Sequence, residues 1–382
     1  MFGSKTVEIF KEIETPFYYY DLALLRQTLD KYTAELKKYK YHAHYALKAN
    51  ANSRILSIVK SYGFGADCVS GNEVKLALDS GFDPSMTVYA GVGKSDKEIK
   101  IALEGNIFSF NCESIPEIQI IDQIAGSMGK KASVSLRINP DIDAHTHKYI
   151  TTGRSQDKFG ISHWMFDDVI HALNSCKNIH FAGLHFHVGS QITDYNVFKM
   201  LALRVNEIVA RFEEKEMRVE NINLGGGLGV DYKNPDENPI SDFETYFSII
   251  NKNLRQEPYQ QVHFEPGRAI VCQCGTLISR VLYVKVGRGK KFAILDAGMN
   301  DLIRPALYQA VHKIENLTSN GRKMRYDVVG PICESSDRFV KNLLLPETKR
   351  GDIMAIRSAG AYGQVMAMRY NQKDIAPEYY SE

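Results

Sequence analysis

The sequence predicts an α/β protein, a (β/α)8 TIM-type barrel joined to a second, mostly antiparallel β domain. Three observations carry this. Between Tyr41 and Arg268, eight apolar runs of strand length alternate with helix-period segments. Polar and charged residues gather at the carboxyl ends of those runs, where a barrel builds its sites. After Arg268, turns rather than long helices separate the strand-like runs.

Taken in order, the aromatic stretch Pro16–Tyr20 is extended and precedes the barrel. It can pair with the later β domain and so make that domain discontinuous. Barrel strands are expected at Tyr41–Lys48, Gly65–Ser70, Thr87–Gly91, Ile107–Asn111, Ser133–Asn139, Phe181–Ser190, Asn221–Gly226 and Val262–Pro266. Helices are expected at Ile55–Ser61, Glu73–Asp79, Asp96–Leu103, Ile115–Ala125, Phe166–Asn174, Val197–Glu216 and Phe243–Leu254. An open doubly wound sheet competes with the closed barrel, and pattern alone leaves it standing. In the β domain, strands are expected at Thr276–Lys285, Lys291–Leu295, Tyr326–Gly330 and Gly351–Arg357. The expected domains are residues 24–268 for the barrel and 1–23 with 269–382 for the β domain.

The chain's 382 residues, 44% hydrophobic and 24% charged, suit a globular protein with a large core. A net charge of +2 gives no electrostatic case for nucleic acid or an anionic membrane. No apolar run approaches the roughly 18 residues of a spanning helix, and the start has no signal-peptide pattern, which reads as cytoplasmic. Six scattered cysteines suggest reduced thiols; Cys272 and Cys274 stand two apart without a second pair to complete a structural zinc site.

The chemistry is concentrated at the strand ends. They carry Lys48, Asp67, Arg137, His185 and His187, Gly225 to Gly229, and Glu265 to Arg268. Charges inside a barrel cost several kcal/mol unless paired, so repeating them on six strand ends points to a built site. Strand alternation puts His44, Ala46 and Lys48 on one face, which would aim Lys48 into the barrel mouth. A buried lysine has a depressed pKa and becomes a nucleophilic amine, able to condense with an aldehyde cofactor. An isolated lysine just past a strand is more often a surface residue. The glycine run after strand seven offers backbone amides to a phosphate, although it could be a tight turn alone. Together the two features imply a phosphorylated aldehyde.

These stretches resemble the fold-type III pyridoxal-phosphate decarboxylases, and among them the diaminopimelate decarboxylases. The matching residues are Tyr45-Ala46-Leu47-Lys48-Ala49-Asn50, Gly65-Ala66-Asp67-Cys68-Val69-Ser70, Arg137-Ile138-Asn139-Pro140, Lys158-Phe159-Gly160, His185 to Gln191, Gly225 to Gly229 and Glu265 to Arg268. They continue with Asp296-Ala297-Gly298-Met299-Asn300-Asp301, Arg304-Pro305-Ala306-Leu307-Tyr308, Cys333-Glu334-Ser335-Ser336-Asp337 and Gly360-Ala361-Tyr362-Gly363. One departure is the tail, where residues 372–382 replace a short Arg/Pro-containing strand.

The resemblance implies a pyridoxal 5′-phosphate enzyme that decarboxylates meso-2,6-diaminopimelate to L-lysine and carbon dioxide, acting as a homodimer with shared active sites. It implies that Lys48 binds the cofactor aldehyde, that His187 stacks on the ring, and that Arg137 lies near the ring hydroxyl. Asp67 and Gly267 join the cofactor site. Ser190, Gly226, Gly227, Arg268 and Tyr362 lie near the phosphate or the substrate end. Glu265 pairs with the ring nitrogen; a carboxylate there favours the ring's proton and hence the spreading of carbanion charge. Cys333, from the partner subunit, is the proton donor; neighbouring carboxylates Glu334 and Asp337 would keep a thiol protonated. Arg268, Arg304, Tyr308, Glu334 and Tyr362 bind substrate, Arg304 by clamping the distal carboxylate and Glu334 by accepting the distal ammonium.

Simpler readings stand beside these. Glu265 could pair with Arg268, Cys333 could be an inert thiol, and Arg304 could form an interface salt bridge. The pairs His42/His44, His145/His147 and His185/His187 could mimic the metal ligands of a zinc barrel hydrolase, a reading that leaves the glycine run idle; His145 and His147 look like solvated loop residues. A decarboxylase of another diamino acid or carboxylated polyamine is a second enzymatic reading. A non-catalytic pyridoxal-phosphate carrier is the third, and the β domain speaks against it.

Overall fold

The structure is a computed structural model and describes residues 2–142 and 158–381, so His145 and His147 lie outside the described residues. The chain divides into two compact units: Leu29–Gly229 with Asp242–Gly267, and Met1–Thr28 with Val230–Ser241 and Arg268–Glu382. The sequence suggested breaks at 23/24 and 268/269 and held no signal for the excursion Val230–Ser241.

The second unit's first strand is β1 (Phe17–Tyr20). The other unit is a closed barrel of β2 (His42–Ala46), β3 (Gly65–Cys68), β4 (Thr87–Tyr89), β5 (Ser109–Cys112), β6 (Ala132–Arg137), β7 (Ile179–His185), β8 (Asn221–Asn223) and β9 (Gln261–Phe264). The eight strands are parallel, and β2 meets β9 to close the ring, with His42 opposite His263. An open sheet is thereby excluded. Several strands stop sooner than the apolar runs suggested. Lys48, Ser70, Ser190 and Gly226 have all left the sheet, because the segments that carry the site peel off the barrel rim.

Helix starts follow from short polar residues. Asn52, Ser70, Ser114, Asp194 and Asp242 each accept a backbone N–H of the first turn, and Ser95 with Glu98 forms a capping box. Ser70, expected as the end of a strand, is thus a helix cap. Helix Tyr195–Glu213 buries Val197, Phe198, Leu201, Ala202, Val205, Ile208, Val209 and Phe212, one face at helical spacing. Each large member contributes about 1.5–3 kcal/mol.

The β unit holds β10 (Gly275–Gly287), β11 (Lys290–Leu295), β12 (Ile314–Asn316), β13 (Lys323–Val329), β14 (Arg338–Pro346), β15 (Ile353–Ile356) and β16 (Glu378–Tyr380). The order is β12-β15-β10-β11-β13-β14, mostly antiparallel, with β1 on β10 and β16 on β1. The aromatic N-terminal strand therefore does belong to this sheet. Its Phe17 packs with Phe10, Ile278, Ile353 and Ala355. Strands β12, β14 and β16 and the helix Ser4–Glu12 were not expected from the sequence. β16 lies in the divergent tail, which supplies a strand through a different sequence.

Candidate active site

The barrel group forms around Lys48. β2 ends at Ala46, and Lys48 sits in the single helical turn Leu47–Ala49. Strand alternation thus does not place it; His44 points into the barrel, where its Nε2 meets His263 Nδ1 at 3.0 Å. The turn brings Lys48 Nζ to 2.9 Å from Asp67 Oδ2 on β3. The lysine side chain is 35% exposed and that of Asp67 is fully enclosed, so the burial expected for the lysine falls on its partner. Burial, then the Glu265 charge, raises the Asp67 carboxyl, and Lys48 opposes them. Asp67 Oδ1 has no hydrogen-bond partner among the described residues.

Glu265 follows β9 and is 5% exposed. Its Oε2 accepts from His185 Nε2 at 2.9 Å, and its Oε1 accepts from Asn111 Nδ2 at 3.2 Å and Asn223 Nδ2 at 2.8 Å. Burial raises its pKa, but the His185 contact and the Lys48 charge outweigh burial and hold it well below the usual range. Glu265 is a carboxylate at any working pH. His187 Nδ1 accepts the Gly226 N–H at 3.3 Å. Burial, then Arg137 and Lys48, keeps that ring far below its ordinary pKa, so it is neutral. Arg137 NH1 donates to Glu113 Oε1 at 2.8 Å, its guanidinium lies 4.6 Å from the Phe159 ring, and the Gly160 amide donates to Glu113 Oε2.

Lys48, Arg137, His185, His187 and Glu265 line a cavity of about 390 Å³. At Gly226 an added Cβ would stand 2.2 Å from the Glu265 carbonyl, and at Gly227 (φ 110°) 2.6 Å from that of Gly189. Only glycine fits that close approach. At Gly267 a Cβ would press on those of Ala46 and Ala49. A half-exposed amine, a permanent carboxylate, a neutral imidazole and a glycine cradle fit a phosphorylated pyridine aldehyde. The Gly226 amide, in donating to His187, also helps to orient that ring. Of the histidines weighed as metal ligands, His44, His185 and His187 are engaged in hydrogen bonds, and among the described residues no His/Cys/Asp/Glu cluster could hold a metal.

The other group lies in the β unit. Arg304, 5% exposed, opens the short helix Arg304–Tyr308. Its NH1 donates to His312 Nε2 at 3.0 Å, and its guanidinium lies 4.8 Å from the Tyr232 ring. Arg268 NH1 donates to the Tyr232 hydroxyl at 2.6 Å, and its guanidinium lies 4.8 Å from the Tyr362 ring. Burial pushes the Tyr232 phenol up to about 12. Among the described residues of this chain, no ion pair joins Arg304 to a carboxylate. Upstream, Tyr18 donates to the Asp301 carbonyl and fixes the approach to Arg304.

Cys333 and Glu334 are exposed; Glu334 accepts from Tyr370 and Ser336. Asp337 differs from expectation. Its carboxylate is buried and accepts the backbone N–H groups of Met299 at 2.7 Å and Ile332 at 2.6 Å. It ties the Arg304 loop to the Cys333 loop. Residues that sequence reasoning left unassigned are His185, Asn111, Asn223, Glu113, Tyr232 and His312. The first four had a signal: His185, Asn111 and Asn223 lie at strand ends, and Glu113 follows β5 by one residue.

A parallel barrel with an amine, a fixed carboxylate and a glycine cradle at its mouth defines an enzyme of pyridoxal chemistry. The family model described as "Pyridoxal-dependent decarboxylase, pyridoxal binding domain" matches residues 22–272, and the chain belongs to that family. Its relatives narrow the class. The diaminopimelate decarboxylase of Bacteroides thetaiotaomicron is 53% identical over all of this chain and 99% of its own length. That of Zymomonas mobilis is 41% identical over 97% of this chain and 88% of its own. The crystal structure of the Helicobacter pylori enzyme complexed with L-lysine superposes with a TM-score of 0.93 at 40% identity, covering 99% of this chain and 94% of that one. No described helix is long and apolar enough to cross a membrane.

Proposed function

We propose that this chain uses pyridoxal 5′-phosphate to decarboxylate meso-2,6-diaminopimelate, giving L-lysine and carbon dioxide, the last step of lysine biosynthesis. Its relatives carry that activity in their names. The observation that favours this substrate is Arg304: a buried guanidinium resting on an imidazole and a phenol ring, with no carboxylate against it among the described residues. Such a cation calls for an anion from the substrate. Diaminopimelate has a second carboxylate; ornithine and lysine, decarboxylated at their one carboxylate, would set an ammonium beside it.

The barrel group would hold the cofactor. Lys48 offers the amine for its aldehyde, Arg137 lies on the hydroxyl side, the neutral His187 presents a flat face to the ring, and Gly227 leaves room for the phosphate. When bound, the cofactor supplies an electron sink for the charge left as carbon dioxide departs. Glu265, locked by His185, Asn111 and Asn223, would hold a proton on the ring nitrogen. In the β unit, Arg304 orients the distal carboxylate, and Arg268, Tyr308 and Tyr362 line the substrate end. We place the reaction in a homodimer in which the partner subunit's Cys333 gives its thiol proton to the α-carbon and the partner subunit's Glu334 accepts the distal ammonium. The exposure of both residues on this chain fits that assignment.

The test is carbon dioxide release, with added pyridoxal phosphate, from diaminopimelate, lysine, ornithine, arginine and carboxynorspermidine. Diaminopimelate should be turned over with the highest kcat/KM. Faster turnover of lysine or ornithine would overturn the substrate assignment.

A further inference from the structure

His312 lies eight residues beyond Arg304, outside every motif that marks the site. It is 6% exposed. Its Nδ1 stands 2.9 Å from the Arg357 carbonyl and its Nε2 stands 3.0 Å from Arg304 NH1. A carbonyl only accepts and a guanidinium only donates, so the tautomer is fixed: Nδ1 carries the hydrogen and Nε2 offers a lone pair. The sheet sets this geometry. Ile314 of β12 is in register with Ile356 of β15, and the Arg357 amide donates to the Lys313 carbonyl, which brings His312 beside Arg357. On the other side the Tyr232 ring packs edge-on to His312 at 5.1 Å and under the Arg304 guanidinium at 4.8 Å.

The support for Arg304 is therefore rigid and neutral. Burial, then Arg304, pushes His312 down to about 3, and Tyr232 keeps its proton to about 12. A carboxylate at position 312 would hold the arginine as firmly but would cancel its charge. We propose that His312 is a specificity-determining positioning residue, which aims Arg304 through a neutral acceptor and so leaves its full positive charge for the distal carboxylate of the substrate. The proposal rests on the reading that Arg304 binds that carboxylate.

The product offers a probe that is independent of turnover. L-lysine keeps the distal carboxylate and ammonium, whereas cadaverine lacks the carboxylate. Binding of each to the cofactor-loaded enzyme is measured by calorimetry, beside kcat and KM for diaminopimelate, in Arg304→Ala, His312→Gln, His312→Leu and His312→Glu. His312→Gln can still accept from Arg304 and should stay within about threefold of the parent. His312→Leu loses the acceptor and His312→Glu neutralises the cation. Each should weaken L-lysine and raise KM by about tenfold or more, the loss expected of a hydrogen bond to a charged group, with kcat changed far less and cadaverine binding unaltered. Thermal melts of the apo forms identify any variant that fails to fold; His312→Gln, which keeps a polar side chain of similar reach, and His312→Glu carry the test if His312→Leu does. If Arg304→Ala weakens L-lysine and His312→Glu does not, the role given to His312 is overturned and the substrate reading stands. If Arg304→Ala leaves L-lysine binding unchanged, the substrate reading itself falls.

Discussion

At the barrel mouth cations touch carboxylates, the partly exposed Lys48 meeting Asp67 and the buried Arg137 meeting Glu113, while Glu265 accepts from His185. In the β unit Arg304 is as deeply enclosed, yet it rests on an imidazole and a phenol ring. The two regions handle charge for different ends. Paired charges in a low-dielectric site hold one geometry and set protonation states, as a cofactor site requires. A buried guanidinium without a counter-ion carries a standing desolvation cost of several kcal/mol, which an anionic ligand relieves. Under the proposed function, fixity and recognition are divided between the two units of one chain.

The contrast is broken hardest at Glu265. Glu265→Gln keeps the shape and removes the charge that His185, Asn111 and Asn223 lock in place. We expect kcat to fall by about 10²–10⁴-fold, the range for a misplaced catalytic proton, while the visible absorbance of bound cofactor persists. A kcat within tenfold of the parent would show that the barrel site works through shape rather than charge.

Next comes Cys333, outside both charge clusters and exposed. Cys333→Ala should retain the cofactor and lose about a hundredfold in kcat, with KM nearly unchanged. Mixing it with Lys48→Ala should regenerate activity through mixed dimers that hold one intact site. No recovery, with subunit exchange verified by mass spectrometry, would place the thiol in its own chain's site or remove it from the reaction.

How far these roles were legible depends on where each residue sits in the chain. Glu265, His187 and the glycine run lie where a strand meets its loop, and the rule that barrel sites gather there finds them. Lys48 was found for a partly mistaken reason, since the strand ends two residues earlier and a helical turn delivers the amine. Asp337 was misjudged because its sequence neighbours suggested a charge beside Cys333. Its partners are backbone amides, one of them from Met299, 38 residues away. Tyr232 and His312 carried no local signal. The first depends on an excursion of the chain that joins the β unit, the second on the register of β12 against β15. Contacts made by distant chain returns leave no periodicity to read.

The finest probe of the contrast is the response of folding to acid. Burial, then the Arg304 charge, with a smaller push from Arg268, lowers His312 to about 3 from 6.5, against the pull of the Arg357 carbonyl. Below about pH 6.5 the unfolded chain takes a proton on this ring and the native one does not, so native stability declines as pH drops through that window. At pH 5.5 the loss is about 1 kcal/mol. Urea melts of parent and His312→Gln at pH 8 and pH 5.5 isolate it, because glutamine does not titrate: the parent should lose about 1 kcal/mol more than the variant. Equal losses would mean that native His312 gains its proton near pH 6. Arg304 would then face a cation in mild acid, and the β unit would depend on pH for its recognition where the barrel mouth, with Glu265 ionised throughout, does not.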